Sequence, residues 1–202
     1  MENLVYYAML AAASLISITL HECAHGYTAY LLGDPTAKNS GRLTLNPIKH
    51  IDPFGLIMLI LLKIGYAKPV PVNPCYFKDR KKGMRLVGLA GPAANLVLAF
   101  FAGKAVKMLV LSGIYSYNAK YCIAMFLLLF TQLNIGYAVF NLLPFPPLDG
   151  SKIFVSFLPE SWEAVFYKYQ QYFYFVILVL YFVGVLDKII EPAIDFIYKL
   201  II

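Results

Sequence analysis

The chain has 202 residues, of which 60% are hydrophobic and only 14% charged, against about 25% charged in an average soluble domain. With a mean hydropathy of +0.68, it has too few polar residues to coat a soluble surface, which excludes a disordered chain, a collagen-like fibre and an ordinary soluble enzyme. The net charge of +6 then points to membrane lipids rather than nucleic acid as the partner.

The first residues, MENLVYY, carry no Lys or Arg, so no cleavable signal peptide is expected. Residues 4–32 read as one retained helix. Further apolar stretches run over 54–66, 86–111, 120–143 and 165–186. The 54–66 stretch is short for a crossing and reads as re-entrant or buried. The tail KIIEPAIDFIYKLII is amphipathic and holds Pro192. It is expected on the membrane surface or against the bundle. The aromatic residues between Phe166 and Phe182 read as an interfacial, lipid-facing belt. In the loop after the first helix, Arg42-Leu43-Thr44-Leu45-Asn46 alternates as a strand does. Lys68 to Pro74 contains three prolines and must be extended.

The fold expected is an all-α polytopic membrane protein. It is a bundle of about four to five transmembrane helices with a small membrane-associated β-strand and re-entrant region after the first helix. Residues 1–160 form the core; residues 161–202 add a C-terminal transmembrane helix and the tail. Lysines and arginines crowd the 33–85 region, whereas the N-terminus offers only Glu2. The positive-inside rule puts the N-terminus outside and 33–85 in the cytoplasm. Lys104, Lys107 and Lys120 count mildly against that scheme.

Two of the three histidines lie in His21-Glu22-Cys23-Ala24-His25. On a helix His21 and His25 are about 40° apart, so both imidazoles can grip one zinc ion. Glu22 flanks the same face, placed to take a proton from an activated water. Ionisable groups this deep in an apolar helix are costly and by default functional. Leu4 to His21 is about 26 Å of helical rise, which puts the pair within the membrane, nearer the cytoplasmic face. Cys23 reads as packing, and the scattered Cys23, Cys75 and Cys122 make no disulfide framework or CxxC pair.

A catalytic zinc needs three protein ligands and an open position. His50 is the remaining histidine, in a loop, with a supporting or substrate-side role or a plain backbone bond equally open. Asp149 stands out, in the proline-broken run Asn141-Leu142-Leu143-Pro144-Phe145-Pro146-Pro147-Leu148-Asp149-Gly150. Such irregular backbone survives at membrane depth only where it is buried or lines a wet cavity. Asn95, in Gly91-Pro92-Ala93-Ala94-Asn95, reads either as interhelical glue or as a substrate-side residue.

HECAHG, GPAAN and NLLPFPPLDG, in that order, resemble the site-2 protease family of intramembrane zinc metalloproteases. The match runs from about residue 5 to 160. The resemblance implies His21, His25 and Asp149 as zinc ligands, Glu22 as catalytic base and Asn141 as a substrate-holding residue. It implies transmembrane proteins or peptides as substrates; the positive-inside scheme puts the site toward the cytoplasm, and the lack of eukaryotic-looking extensions makes a prokaryotic plasma membrane the expected location. No room exists for a PDZ domain between core helices, so substrate filtering is expected to be absent or to come from a membrane partner or a second copy. The edge of the Arg42–Asn46 strand, with Leu43 and Leu45, is expected to hold an unwound substrate by β-addition. The competing reading is an inert zinc-binding scaffold or metal carrier. Structural zinc usually has four protein ligands and needs no Glu beside a His, and only three convincing ligands are found.

Overall fold

The structure is a computed structural model that describes residues 2–52, 67–111 and 119–202. Helix α1 spans Glu2–Leu31 and a single turn, α2, spans Thr36–Asn39. Helix α3 runs over Arg80–Leu111 and α4 over Ala119–Asn141. Shorter helices follow: α5 (Asp149–Val155), α6 (Glu160–Lys168), α7 (Gln170–Phe182) and α8 (Val185–Ile201).

The three long helices form the bundle, because each presents small or apolar residues to the others. Ala13 on α1, Ala102 on α3 and Phe130 on α4 meet in one buried cluster. Toward the other end of α1, His25 meets Val87 and His21 meets Asn95. Numbers fall along α1 as they rise along α3, so these two helices are antiparallel. Asn134 of α4 meets Ser17 and Asn95; α4 therefore runs parallel to α1. The end of α4 arrives at the level of the His21–His25 turn.

Leu4–Leu31, Arg80–Leu111 and Tyr121–Asn141 are long and apolar enough to cross a membrane, and the pair α7 and α8 makes a fourth if counted as one broken span. The expected four to five crossings become three or up to four among the described residues. The 54–66 stretch lies outside them. The helix expected over 165–186 is not one element. It is interrupted at Tyr169, and Gly184 adopts a left-handed φ of 72° between α7 and α8. At 13 residues, α7 rises about 20 Å, short of the roughly 30 Å hydrocarbon core. The tail packs against the bundle: Ile201 joins Ala99 and Ile135 in a buried cluster with Ile194 and Ile197 around it. Pro192 lies inside α8 without ending it.

The strand expected over Arg42–Asn46 is absent. Among the described residues the one β contact is an isolated bridge between Ile51 and Ala67. Local bonds take the groups a ladder would need. The Thr44 carbonyl accepts from Cys23 Sγ at 2.9 Å and from His50 Nε2 at 2.8 Å. Thr44 Oγ1 takes the Asn46 N–H, and Asn46 turns to cap the Ile48 N–H. Short alternation was a weak signal against these competing bonds.

Candidate metal centre

The segment from Lys68 to Asn73 is extended, as its prolines require, and crosses the C-terminal half of α1. Three side chains hold it. Glu22 Oε2 accepts the Val70 N–H at 2.8 Å. The fully buried Asp34 accepts the Asn73 N–H at 2.7 Å while also capping Thr36. Arg42 donates to the Lys68 carbonyl at 2.7 Å. The segment meets α1 at Glu22 and Gly26, the residues that follow His21 and His25.

His21, His25 and Asp149 are all buried and are the metal-competent group among the described residues, with ligand atoms within 4.8 Å of one another. His21 Nε2 lies 3.0 Å from Asp149 Oδ2, His25 Nε2 lies 2.9 Å from it, and the two Nε2 atoms are 3.0 Å apart. Each ring is anchored on its far side. His25 Nδ1 donates to the Val87 carbonyl at 2.7 Å, and His21 Nδ1 donates to Asn95 Oδ1. A proton held on Nδ1 leaves the Nε2 lone pair for metal, the usual outer support of a metal-ligating histidine.

Room over the rings depends on Gly91. A Cβ there would lie 2.5 Å from His21 Cε1 and 2.5 Å from His25 Nε2. Asp149 is delivered by a fold of the chain that also needs glycine. A Cβ on Gly150 would fall 2.2 Å from the Leu142 carbonyl oxygen, a backbone clash that no rotamer relieves. Lys152 Nζ donates to the other carboxylate oxygen, Asp149 Oδ1, at 2.7 Å. The Lys152 ammonium offsets part of the cost of burying that carboxylate.

Two imidazole nitrogens and a carboxylate oxygen, converging and supported behind, suit zinc. The donor set fits the ion on chemistry as well as on placement.

The other candidates divide. Asn95 is wholly buried and reaches His21. Asn141 sits at the end of α4 with Nδ2 donating to its own Tyr137 carbonyl at 3.0 Å. His50 is buried beside Thr44 and is not in the metal-competent group. Leu43 packs toward the Gly26 turn of α1 while Leu45 is exposed. Neither lies on a strand edge. Asn134, Asp34 and Lys152 were not singled out by sequence. Asn134 gave a signal: a buried polar side chain in an apolar crossing helix, the feature that marks function at membrane depth.

Known proteins resemble this chain along most of its length. The profile of peptidase family M50 matches residues 103–184. A Bacillus subtilis (strain 168) relative named "Putative zinc metalloprotease YwhC" is 37% identical over 206 residues, covering 96% of this chain and 92% of the relative. The chain belongs to peptidase family M50, the site-2 protease family. A Mycolicibacterium smegmatis relative named "Putative zinc metalloprotease Rip2" is 31% identical, over 90% of this chain and 70% of its own. "Zinc metalloprotease MJ0392" of Methanocaldococcus jannaschii is 26% identical, over 80% of this chain and 38% of its own. No solved structure matches. The M50 profile match includes Asn141 and Asp149. Zinc is the cofactor of this family, and the chain is an integral membrane metalloprotease by kinship and by its apolar helices.

Proposed function

We propose that the chain is an intramembrane zinc endopeptidase that cuts transmembrane proteins or peptides near the cytoplasmic face of a prokaryotic plasma membrane. The observation that supports this most is the convergence of His21, His25 and Asp149, all buried, one residue from Glu22.

His21 and His25 would hold zinc through Nε2 and Asp149 through Oδ2. Bound there, zinc supplies a Lewis acid that polarises a peptide carbonyl and acidifies water. The Val70 N–H fixes Glu22 Oε2, so Oε1 is the atom that takes the proton of the attacking water. Glu22 then hands that proton to the departing amine nitrogen. Asn141 would orient the peptide through Oδ1 while Nδ2 stays on the Tyr137 carbonyl. A substrate helix keeps nearly every carbonyl engaged. Segments with helix-weakening residues near their cytoplasmic end are therefore the preferred substrates.

The test pairs wild type with Glu22→Gln in detergent. Zinc is counted in both, and cleavage of a panel of single-span membrane substrates is followed. Equal zinc with cleavage by wild type alone supports the reading, the loss being about 10²- to 10⁴-fold for a missing general base. Zinc in both with equal cleavage overturns Glu22 as the base, and zinc in both with no cleavage by either favours a structural metal or carrier. No zinc in either overturns it.

A further inference from the structure

Behind His21 lies a chain of buried polar groups that runs away from the metal centre into the apolar middle of the bundle. Asn95 Nδ2 donates to Asn134 Oδ1 at 2.7 Å. Asn134 Nδ2 donates to the Phe130 carbonyl at 2.8 Å and to Ser17 Oγ at 2.8 Å. Ser17 Oγ donates to the Ala13 carbonyl at 2.7 Å. Ser17, Asn95 and Asn134 are each wholly buried, and they come from three different helices.

This chain has a direction that its ends dictate. A main-chain carbonyl accepts and never donates. The Phe130 carbonyl therefore requires the nitrogen of Asn134 to face it. Asn134 must then turn Oδ1 toward Asn95. Asn95 in turn presents Nδ2 to that oxygen, which leaves its own Oδ1 facing His21. An oxygen there demands a proton on His21 Nδ1, and the neutral imidazole then carries its lone pair on Nε2. Reversing either amide would place two donors or two acceptors face to face, in a setting without water to compensate.

We propose that Asn134 is a positioning residue that selects the metal-binding tautomer of His21 by locking the Asn95 amide in one orientation. His25 needs no such device, because its Nδ1 faces the Val87 carbonyl directly. The inference rests on the zinc reading above.

The test measures zinc dissociation constants of the full-length protein in detergent by competition with a chromogenic chelator. Asn134→Leu keeps the branching of the side chain and removes the acceptor. The Asn95 amide is then free to turn, and zinc affinity falls about 10- to 100-fold, the range for lost outer support of a ligand. Ser17→Ala leaves the Phe130 anchor in place and loses far less. The decisive variant is Asn95→Asp combined with Asn134→Leu. A carboxylate cannot be turned the wrong way, so zinc affinity recovers toward wild type. Mere loss of packing would not be rescued by placing a carboxylate beside an apolar side chain. Wild-type affinity in Asn134→Leu, or no recovery in the double variant, overturns the relay while leaving the zinc site standing. Absence of zinc from wild type overturns both.

Discussion

Two seams hold the bundle, and they are built from opposite materials. One is polar: Ser17, Asn134, Asn95 and His21 pass hydrogen bonds from the middle of the bundle to the metal centre. The other is dry: Ala99 and Ile135 pack against Ile201 of α8, and a Cβ on Gly103 would lie 2.3 Å from Ile201 Cγ2. In lipid, apolar burial gives no drive for helices to meet, so close packing at small residues must do it. The dry seam thus holds α8 in place but allows any similarly shaped side chain. The polar seam fixes which atom faces which, since a mispaired polar group has no water to turn to. Orientation is specified where chemistry needs it, and packing suffices elsewhere.

The largest test of that division is removal of a ligand. Asp149→Ala or His25→Ala is expected to abolish zinc binding while the helices remain, checked by metal analysis and circular dichroism. Gly91→Ala comes next. Its methyl group would push both rings, and a displacement near 1 Å costs about 10²-fold in activity; zinc content and cleavage rate read it. Lys152→Met removes the ammonium on Asp149 Oδ1 and is expected to weaken zinc about tenfold, measured by chelator competition. The smallest effect on the metal belongs to the dry seam. Gly103→Leu should overpack the Ile201 contact and cost about 1–3 kcal/mol of stability, seen as a lower Tm with zinc affinity unchanged. A zinc loss in Gly103→Leu, or none in Gly91→Ala, would break the distinction between the seams.

Much of the centre was readable from residue order. The i, i+4 histidines declared themselves because a helix has a fixed pitch, and Asp149 because acidic groups are scarce in this chain. Three prolines predicted an extended 68–74, and the chain is extended from Lys68 to Asn73 before Pro74 opens a short 3-10 turn. What failed depended on partners distant in sequence. Arg42 to Asn46 alternates like a strand, yet Cys23 and His50 claim the Thr44 carbonyl. The apolar run 165–186 conceals breaks at Tyr169 and Gly184 that hydropathy does not register. Arg80, Lys81 and Arg85 belong to the basic 33–85 region that sets the expected orientation. In the fold they bind Glu163, the Leu158 carbonyl and Ser156, tying the C-terminal helices to the start of α3. Asn134 was missed because its meaning lies in which way its neighbour's amide must point, a property of three helices at once.

Asp149 stands 124 residues beyond His25. An ion gripping both closes a very long loop, much as a disulfide would, and lengthening such a loop adds little further cost. Chelation should therefore loosen α1 from α5 as well as silence the enzyme. The same separation orders events during synthesis. Until α1, α3 and α4 are inserted and the following loop has emerged, the histidines have no third partner. A half-made chain thus has no assembled metal centre.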